Sequence, residues 1–339
     1  MSIADRLVSA WYAPQLTPLT AALAPLSVVF RGAVALRREL YRIGILRVQR
    51  LPVPVVVVGN ITVGGSGKTP LTIALARALA ERGWRPGIVS RGYGATVHGP
   101  RPVEAASTAD QVGDEPVLLA RTGFPVWVGH NRAAAVRALL AAHRECNVVI
   151  ADDGLQHYAM ARTVEVAVVD ASRGMGNGWM LPAGPLREPT SRLDEVDATV
   201  RLMSTPGAPA TRISMRLSTM SLAGSAFVRV DAPPITAAAA SFHMAGVHAI
   251  AGIGNPERFF EHLRSLGIDA TCHVFPDHHR FRPADLAFAA ASAILMTEKD
   301  AVKCLAFADD RCWALPVDAV VDASLVTLIE GKLSGFQTA

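Results

Sequence analysis

Paired cysteines are missing from this chain. Its 339 residues include four cysteines, Cys146, Cys272, Cys304 and Cys312, and no two of them form a C-x-x-C unit. That spacing argues against a thiolate zinc site or a redox pair and predicts a reduced protein with small buried thiols. Aromatic residues are scarce at 6%, whereas half the chain is hydrophobic; a disordered protein is excluded, and an α/β protein rich in alanine, valine and leucine fits. Dense runs of lysine and arginine are absent, and the formal net charge is only +4. Nucleic-acid binding through a basic tract is thereby disfavoured, while an anionic ligand or membrane surface is not. Nor does any apolar run reach the ~20 residues that cross a bilayer. The N-terminal LTAALAPLSVVF is interrupted at Pro25, preceded by Pro18 and halted at Arg31.

What the chain does contain is a phosphate cradle. Four valines, Val55 to Val58, read as a buried strand that enters Gly59-Asn-Ile-Thr-Val-Gly-Gly-Ser-Gly-Lys68-Thr69-Pro70, and a helical pattern starts at once. Gly64, Gly65, Ser66 and Gly67 let backbone N–H groups converge on phosphate, and the helix N-terminus adds positive potential. Lys68 is placed to reach the terminal phosphates and the Thr69 hydroxyl to ligate Mg²⁺. Thr62 stands where the common pattern has its first glycine, so the loop is a P-loop variant.

Beyond it, short apolar runs alternate with helical segments: RPGIVSRGYG, a helix start at Asp114, FPVWVGH, NRAAAVRALLAAH, CNVVIADDG and VEVAVVDA. This alternation predicts a doubly wound, mostly parallel P-loop sheet with its ligand at the strand C-termini. A second αβ pattern begins near His243. The expected organisation is an amphipathic N-terminal segment over 1–50, a P-loop core over 51–210, a two-stranded linker over 211–235 (RISMRL and SLAGSAFVRV) and a smaller αβ domain over 236–339. Within 1–50, apolar stretches alternate with basic ones, which suits a helix lying in a membrane interface or one packed on the protein itself.

Several residues carry candidate chemistry. Asp152 and Asp153 close a hydrophobic strand, as carboxylates that hold Mg²⁺ beside a P-loop do. Gln156 and His157 follow on the same rim; an ordinary surface role for His157 is equally compatible with the sequence. Asp114 opens a helix, where it serves either as a cap or as the base for an attacking hydroxyl. The adjacent His278 and His279 make a poor metal chelate because neighbours on extended chain point apart, so a histidine facing Asp114 across a cleft is the sharper reading. Arg91 and Arg132 end or follow core strands and are candidate anion contacts. Arg187 and Glu188 sit in a Gly/Pro-rich loop, either facing phosphate or paired at the surface.

Taken together, GNITVGGSGKTP, SRGYG, GDEP, ADDGLQH, PLRE, GIGNPERFF, PDHH and TEKDAVK, in that order from Gly59 to Lys303, resemble the tetraacyldisaccharide 4′-kinase family of lipid A biosynthesis. Leu155 stands where the family often has phenylalanine. The resemblance implies transfer of the ATP γ-phosphate to the 4′-hydroxyl of an acylated glucosamine disaccharide 1-phosphate, by an enzyme resting peripherally on the cytoplasmic face of the inner membrane. It implies Asp114 as the base assisted by His278, with His279 the less favoured choice, Lys68 on the phosphates, Thr69 with Asp152 and Asp153 organising Mg²⁺, and Arg187 with Glu188 lining the transfer region. The alternative is a P-loop switch NTPase of the metallochaperone type, which explains the P-loop and the aspartates but leaves Asp114 and the N-terminal segment without a task.

Overall fold

The structure is a computed structural model that describes residues 3–96, 98–203, 217–231 and 235–336. Two helices open it, α1 (Ile3–Trp11) and α2 (Pro18–Arg42). The second corrects the expectation of a segment broken by proline, for it runs unbroken through Pro25. A proline inside a helix costs ~3 kcal/mol, but a Thr17–Thr20 capping box secures the start and one face is docked along its length. Ser27 donates to the Met180 carbonyl at 2.6 Å, Phe30 and Val34 pack on Ile61, Met180 and Leu186, and Arg38 pairs with Glu195. Apolar burial at ~25 cal/mol per Å², added over two large side chains, offsets a loss of that size. Leu26, Val29 and Leu36 on the same helix remain exposed. Among the described residues α2 is the one helix long and apolar enough to cross a membrane, by length and composition.

Eight strands of the first sheet follow: β1 (Val55–Gly59), β2 (Pro86–Ser90), β3 (Arg101–Pro102), β4 (Val126–Val128), β5 (Val148–Ala151), β6 (Val164–Asp170), β7 (Ala198–Leu202) and β8 (Leu217–Ala223). Their spatial order is β8-β7-β6-β1-β5-β2-β4-β3, parallel throughout except for β3 at the edge. Between them lie α3 (Lys68–Glu81), α4 (Ala109–Val112), α5 (Asp114–Ala120) and α6 (Arg132–Ala142). The valine run of β1 is buried on both faces because helices cover both sides of the sheet. Val56 and Val58 meet Leu71, Leu75 and Leu79 of α3, while Val55 and Val57 meet Ala133, Val136 and Leu139 of α6. This is the doubly wound P-loop sheet the sequence predicts.

The second sheet comprises β9 (Ala226–Arg229), β10 (Thr236–Ala238), β11 (Val247–Ala251), β12 (Thr271–Val274), β13 (Ala293–Thr297) and β14 (Cys312–Leu315), in the order β10-β9-β14-β13-β11-β12. Helices α7 (Pro256–Ser265) and α8 (Glu298–Cys304) belong to it. The smaller unit does not run to residue 339 as expected. β15 (Asp318–Val321) returns to pair antiparallel with β8. Next, α9 (Ala323–Ser334) inserts Leu325, Ile329 and Leu333 into the core beside α3. Their spacing of four makes one apolar helix stripe, and the first sheet offers the surface that buries it. The expected linker strand RISMRL lies outside the described residues but for Leu217, and β8 and β9 fall one in each sheet. Cys146, Cys304 and Cys312 are buried, but Cys272 is exposed on the edge strand β12, correcting the expectation of uniformly buried thiols.

Parallel strands share a direction, so the residues after β1, β2, β4, β5 and β6 emerge along one edge of the first sheet. Those after β11, β12 and β13 emerge together from the second. The two edges face each other, and Gly254 meets Gly65 backbone to backbone: a Cβ at residue 254 would stand 2.1 Å from the Gly65 nitrogen. Only glycine allows that approach.

Candidate active site

The P-loop side is tied together by short polar contacts. Lys68 begins α3, and its Nζ lies 3.3 Å from Asn60 Oδ1 and 3.7 Å from Asp153 Oδ1. Thr69 donates its hydroxyl to Asp152 Oδ2 at 3.5 Å, and Thr72 donates to Oδ1 at 3.1 Å. Asp152 is fully buried; burial first, then the nearby charges of Glu115 and Asp153, push its carboxyl up to about 7. Asp153 differs. Burial opposes its ionisation too, but Lys68 and Arg187 outweigh this and hold it well below the usual carboxylate range; Arg187 Nη1 lies 3.3 Å from its carboxylate. A hydroxyl and a carboxylate in contact at the helix start, the carboxylate's ionisation opposed by burial and by negative neighbours, are a donor set that fits Mg²⁺. Ser66 Oγ and Arg132 Nε are buried without a hydrogen-bond partner within the protein, and oxygens of a phosphate are the complement such donors require.

The second half of the site is assembled from both sheets. Gly113 adopts φ 95°, and a Cβ there would stand 2.8 Å from the Tyr93 carbonyl oxygen, so glycine is required to turn the chain into α5. Asp114 follows, 5% exposed. Its Oδ1 accepts from the Glu115 N–H at 2.9 Å and its Oδ2 lies 3.0 Å from His278 Nδ1; the side chain both closes the helix start and faces the histidine. Lys299 Nζ stands 3.8 Å away. Burial raises the Asp114 carboxyl, but the His278 hydrogen bond and the Lys299 charge outweigh it and bring it down to about 2. His278 holds φ 59° and Asp153 φ 48°, a left-handed backbone that non-glycine residues adopt at a cost of ~1–3 kcal/mol when their surroundings impose it. His279 turns the other way, to Asp285 at 3.0 Å and the rings of Phe275 and Phe281.

The remaining sequence candidates divide. Arg132 is buried, donates to the Gly129 carbonyl at 2.9 Å, and burial lowers its guanidinium to about 10 against the pull of Asp153 and Asp152. Arg91 is exposed at the end of β2. Gln156 donates to the Asn60 carbonyl at 3.0 Å and to Glu188 Oε2 at 2.9 Å. Glu188 corrects its expectation: it is 1% exposed, accepts from Gln156 and Tyr158 and has Arg192 Nε at 4.0 Å. Its carboxylate is drawn into this polar knot behind the site and braces Gln156. His157 is held neutral, its pKa lowered to about 4 by burial and then by Arg132 and Arg162. Residues not singled out by sequence reasoning include Asn60 and Thr72, which hold Lys68 and Asp152, and Glu115. Asn60 lay inside a recognised motif; Thr72, one helical turn after Thr69, carries no signal of its own.

Between the halves lies a cavity of about 200 Å³, lined by Ser66, Lys68, Thr69 and Glu115 on one side and by Asn255, Arg258 and Lys299 on the other. Arg258 of α7 and Asn255, the N-cap residue of that helix, both bond Asp170 at the end of β6, which ties the second sheet to the first. A phosphate cradle, paired aspartates and a cleft closed by a second αβ unit define a P-loop phosphotransferase.

The family described as Tetraacyldisaccharide-1-P 4′-kinase (LpxK) matches residues 19–334, and the chain belongs to it. It is 54% identical over 321 residues to the tetraacyldisaccharide 4′-kinase of Dechloromonas aromatica, covering 94% of this chain and 93% of that one. To the protein of the same name from Azoarcus sp. it is 50% identical over 317 residues, covering 93% and 92%. Among solved structures, an ATP complex of LpxK from Aquifex aeolicus superposes with a TM-score of 0.76 at 28% identity, covering 93% of this chain and 99% of that one. The chain is therefore a kinase, and the metallochaperone-type alternative is set aside.

Proposed function

We propose that this kinase transfers the γ-phosphate of ATP to the 4′-hydroxyl of a tetraacylated glucosamine disaccharide 1-phosphate, on the cytoplasmic face of the inner membrane. The observation that carries the proposal is the meeting of Asp114 and His278 against Lys299, which with Glu115 lines the cavity that Lys68 and Thr69 also line. Lys68 binds the terminal phosphates, and Thr69 with Asp152 and Asp153 would hold Mg²⁺. A cation held there would supply positive charge to offset the negative charge of the ATP phosphates during transfer. Asp114 receives the proton of the acceptor hydroxyl at its carboxylate, and His278 holds that carboxylate in place. A weak base suffices, because phosphoryl transfer passes through a loose transition state in which positioning outweighs proton removal. Arg132, Arg187 and Arg91 supply positive charge along the strand edge, and the second sheet excludes water from the γ-phosphate. The exposed Leu26, Val29 and Leu36 of α2 give the protein an apolar face with which to reach an acceptor that stays in the bilayer.

The test is ATP consumption by the purified protein with and without detergent-dispersed tetraacylated disaccharide 1-phosphate. Turnover that requires the lipid and yields a bisphosphorylated product supports the assignment. ATP hydrolysis indifferent to the lipid overturns it.

A further inference from the structure

Lys299 is the most crowded cation of the cleft. Its Nζ lies 3.3 Å from Glu115 Oε1, 3.5 Å from Asp277 Oδ1, 3.8 Å from Asp114 Oδ2 and 3.5 Å from His278 Nε2, with its side chain 14% exposed. Asp114 and Glu115 come from the first sheet's α5, and Lys299, Asp277 and His278 from the second sheet, so the ammonium joins the two. The contact with His278 carries the chemistry. An ammonium has three N–H donors and no lone pair, so the approach to Nε2 is a hydrogen bond only when Nε2 is the acceptor. The ring proton then resides on Nδ1, which donates to Asp114 Oδ2 at 3.0 Å. The ring of Tyr93 lies against the same imidazole, centroid to centroid 4.7 Å, and limits its rotation.

We propose that Lys299 is a positioning residue of the transfer reaction: it fixes His278 as the Nδ1–H tautomer and leaves Asp114 as the one member of the pair able to accept the hydroxyl proton. A proton on His278 Nε2 instead would turn an N–H toward the ammonium 3.5 Å away, donor against donor, and protonating both nitrogens would set two positive charges at that distance. The balance is simple: the acceptor O–H bond breaks, the proton goes to Asp114, and the oxygen lone pair forms the new P–O bond as the bond to ADP breaks. The titratable and charged groups facing Asp114 are the imidazole of His278 with Lys299 and Lys303 from the second sheet and Glu115 from its own helix; Asp277, across Lys299 from Asp114, stands 3.8 Å from His278 Nε2 and makes the lysine's neutralising charge necessary. Burial and these carboxylates act on Lys299 in opposite senses, and the carboxylates prevail, keeping it protonated. The mechanistic part rests on the kinase reading above; the tautomer part does not.

Two measurements test it. The first is the ¹⁵N spectrum of His278 in the full-length wild-type protein, which needs no turnover. Nδ1 protonated and Nε2 bare is expected, and the reverse tautomer or an imidazolium at neutral pH overturns the proposal whatever the substrate is. The second is kcat against pH for Lys299→Arg and Lys299→Gln. With its charge retained, Lys299→Arg keeps the wild-type profile. Lys299→Gln loses about 100-fold in kcat near neutral pH, within the range of acid–base effects, and regains part of it as pH rises. Its KM for ATP changes less than about threefold, because the phosphate cradle is untouched. A Lys299→Gln profile parallel to wild type, or a loss confined to KM, overturns the positioning role. If Lys299→Gln does not fold, the wild-type spectrum decides.

Discussion

Asp114 and His278 stand 164 positions apart in the chain and 3.0 Å apart in space. Each comes from a different sheet, so the pair exists only when the two halves of the molecule are together. Replacing Asp114 with asparagine preserves shape and removes the basic oxygen. The expected result is a fall in kcat of about 10²–10⁴, with the KM for ATP nearly unchanged. Steady-state kinetics with both substrates varied will decide; a defect confined to KM for ATP would leave Asp114 with a structural role only.

His157 gives a pH-dependent stability of predictable sign. Its pKa falls from 6.5 to about 4 in the folded protein, chiefly through burial, so below about pH 6.5 the unfolded chain binds a proton that the folded one refuses. The stability present above that value is lost as pH falls toward 4. Thermal midpoints of the wild type are expected to drop more steeply between those two values than those of His157→Gln. Parallel curves for the two proteins would sink the assignment.

The tie between the sheets is also open to test. Asp170, buried at the end of β6, accepts from Asn255 at 3.0 Å and pairs with Arg258, both on the second sheet's side. Removing the carboxylate alone leaves Arg258 partly buried and unpaired, a loss of about 3 kcal/mol. Asp170→Ala should therefore be markedly destabilised in urea. The double variant Asp170→Ala/Arg258→Met should regain part of that loss, since no unpaired charge remains. Strict additivity in this cycle would mean the pair contributes nothing as a pair.

Most of the first sheet was legible because its strands are short buried runs bounded by glycine and charge, and Val55 to Val58 announce a strand covered on both sides. The P-loop and Asp152–Asp153 were legible for the same reason: local sequence places them at strand ends. What local sequence does not carry is return topology. β15 and α9 follow a strand of the second sheet yet belong to the first, and only the empty flank beside β8 and α3 dictates that. The motif position of Glu188 says nothing of Tyr158 and Arg192, which draw its carboxylate inward. Intrinsic propensity alone makes Pro25 a break, and the docking of Ser27, Phe30 and Val34 overrides it.

That docking leads to the last expectation. The stripe of α2 carrying Ser27, Phe30, Val34 and Arg38 is committed to the protein, whereas Leu26 is 57%, Val29 69% and Leu36 62% exposed. Large apolar side chains left out along 11 residues of one helix are a surface for something apolar, and an acylated acceptor lives in a bilayer. Val29→Glu/Leu36→Glu replaces two exposed contacts without touching the docked stripe. Flotation with anionic vesicles should fall by about tenfold or more, given ~1.5–3 kcal/mol for each large side chain moved from lipid to water. The thermal midpoint should hold steady, because neither residue contributes to the core. Activity on detergent-dispersed acceptor should also persist, while activity on acceptor embedded in vesicles should drop with the binding. Unchanged flotation would show that α2 is only a packed helix and that the enzyme meets its lipid by another surface.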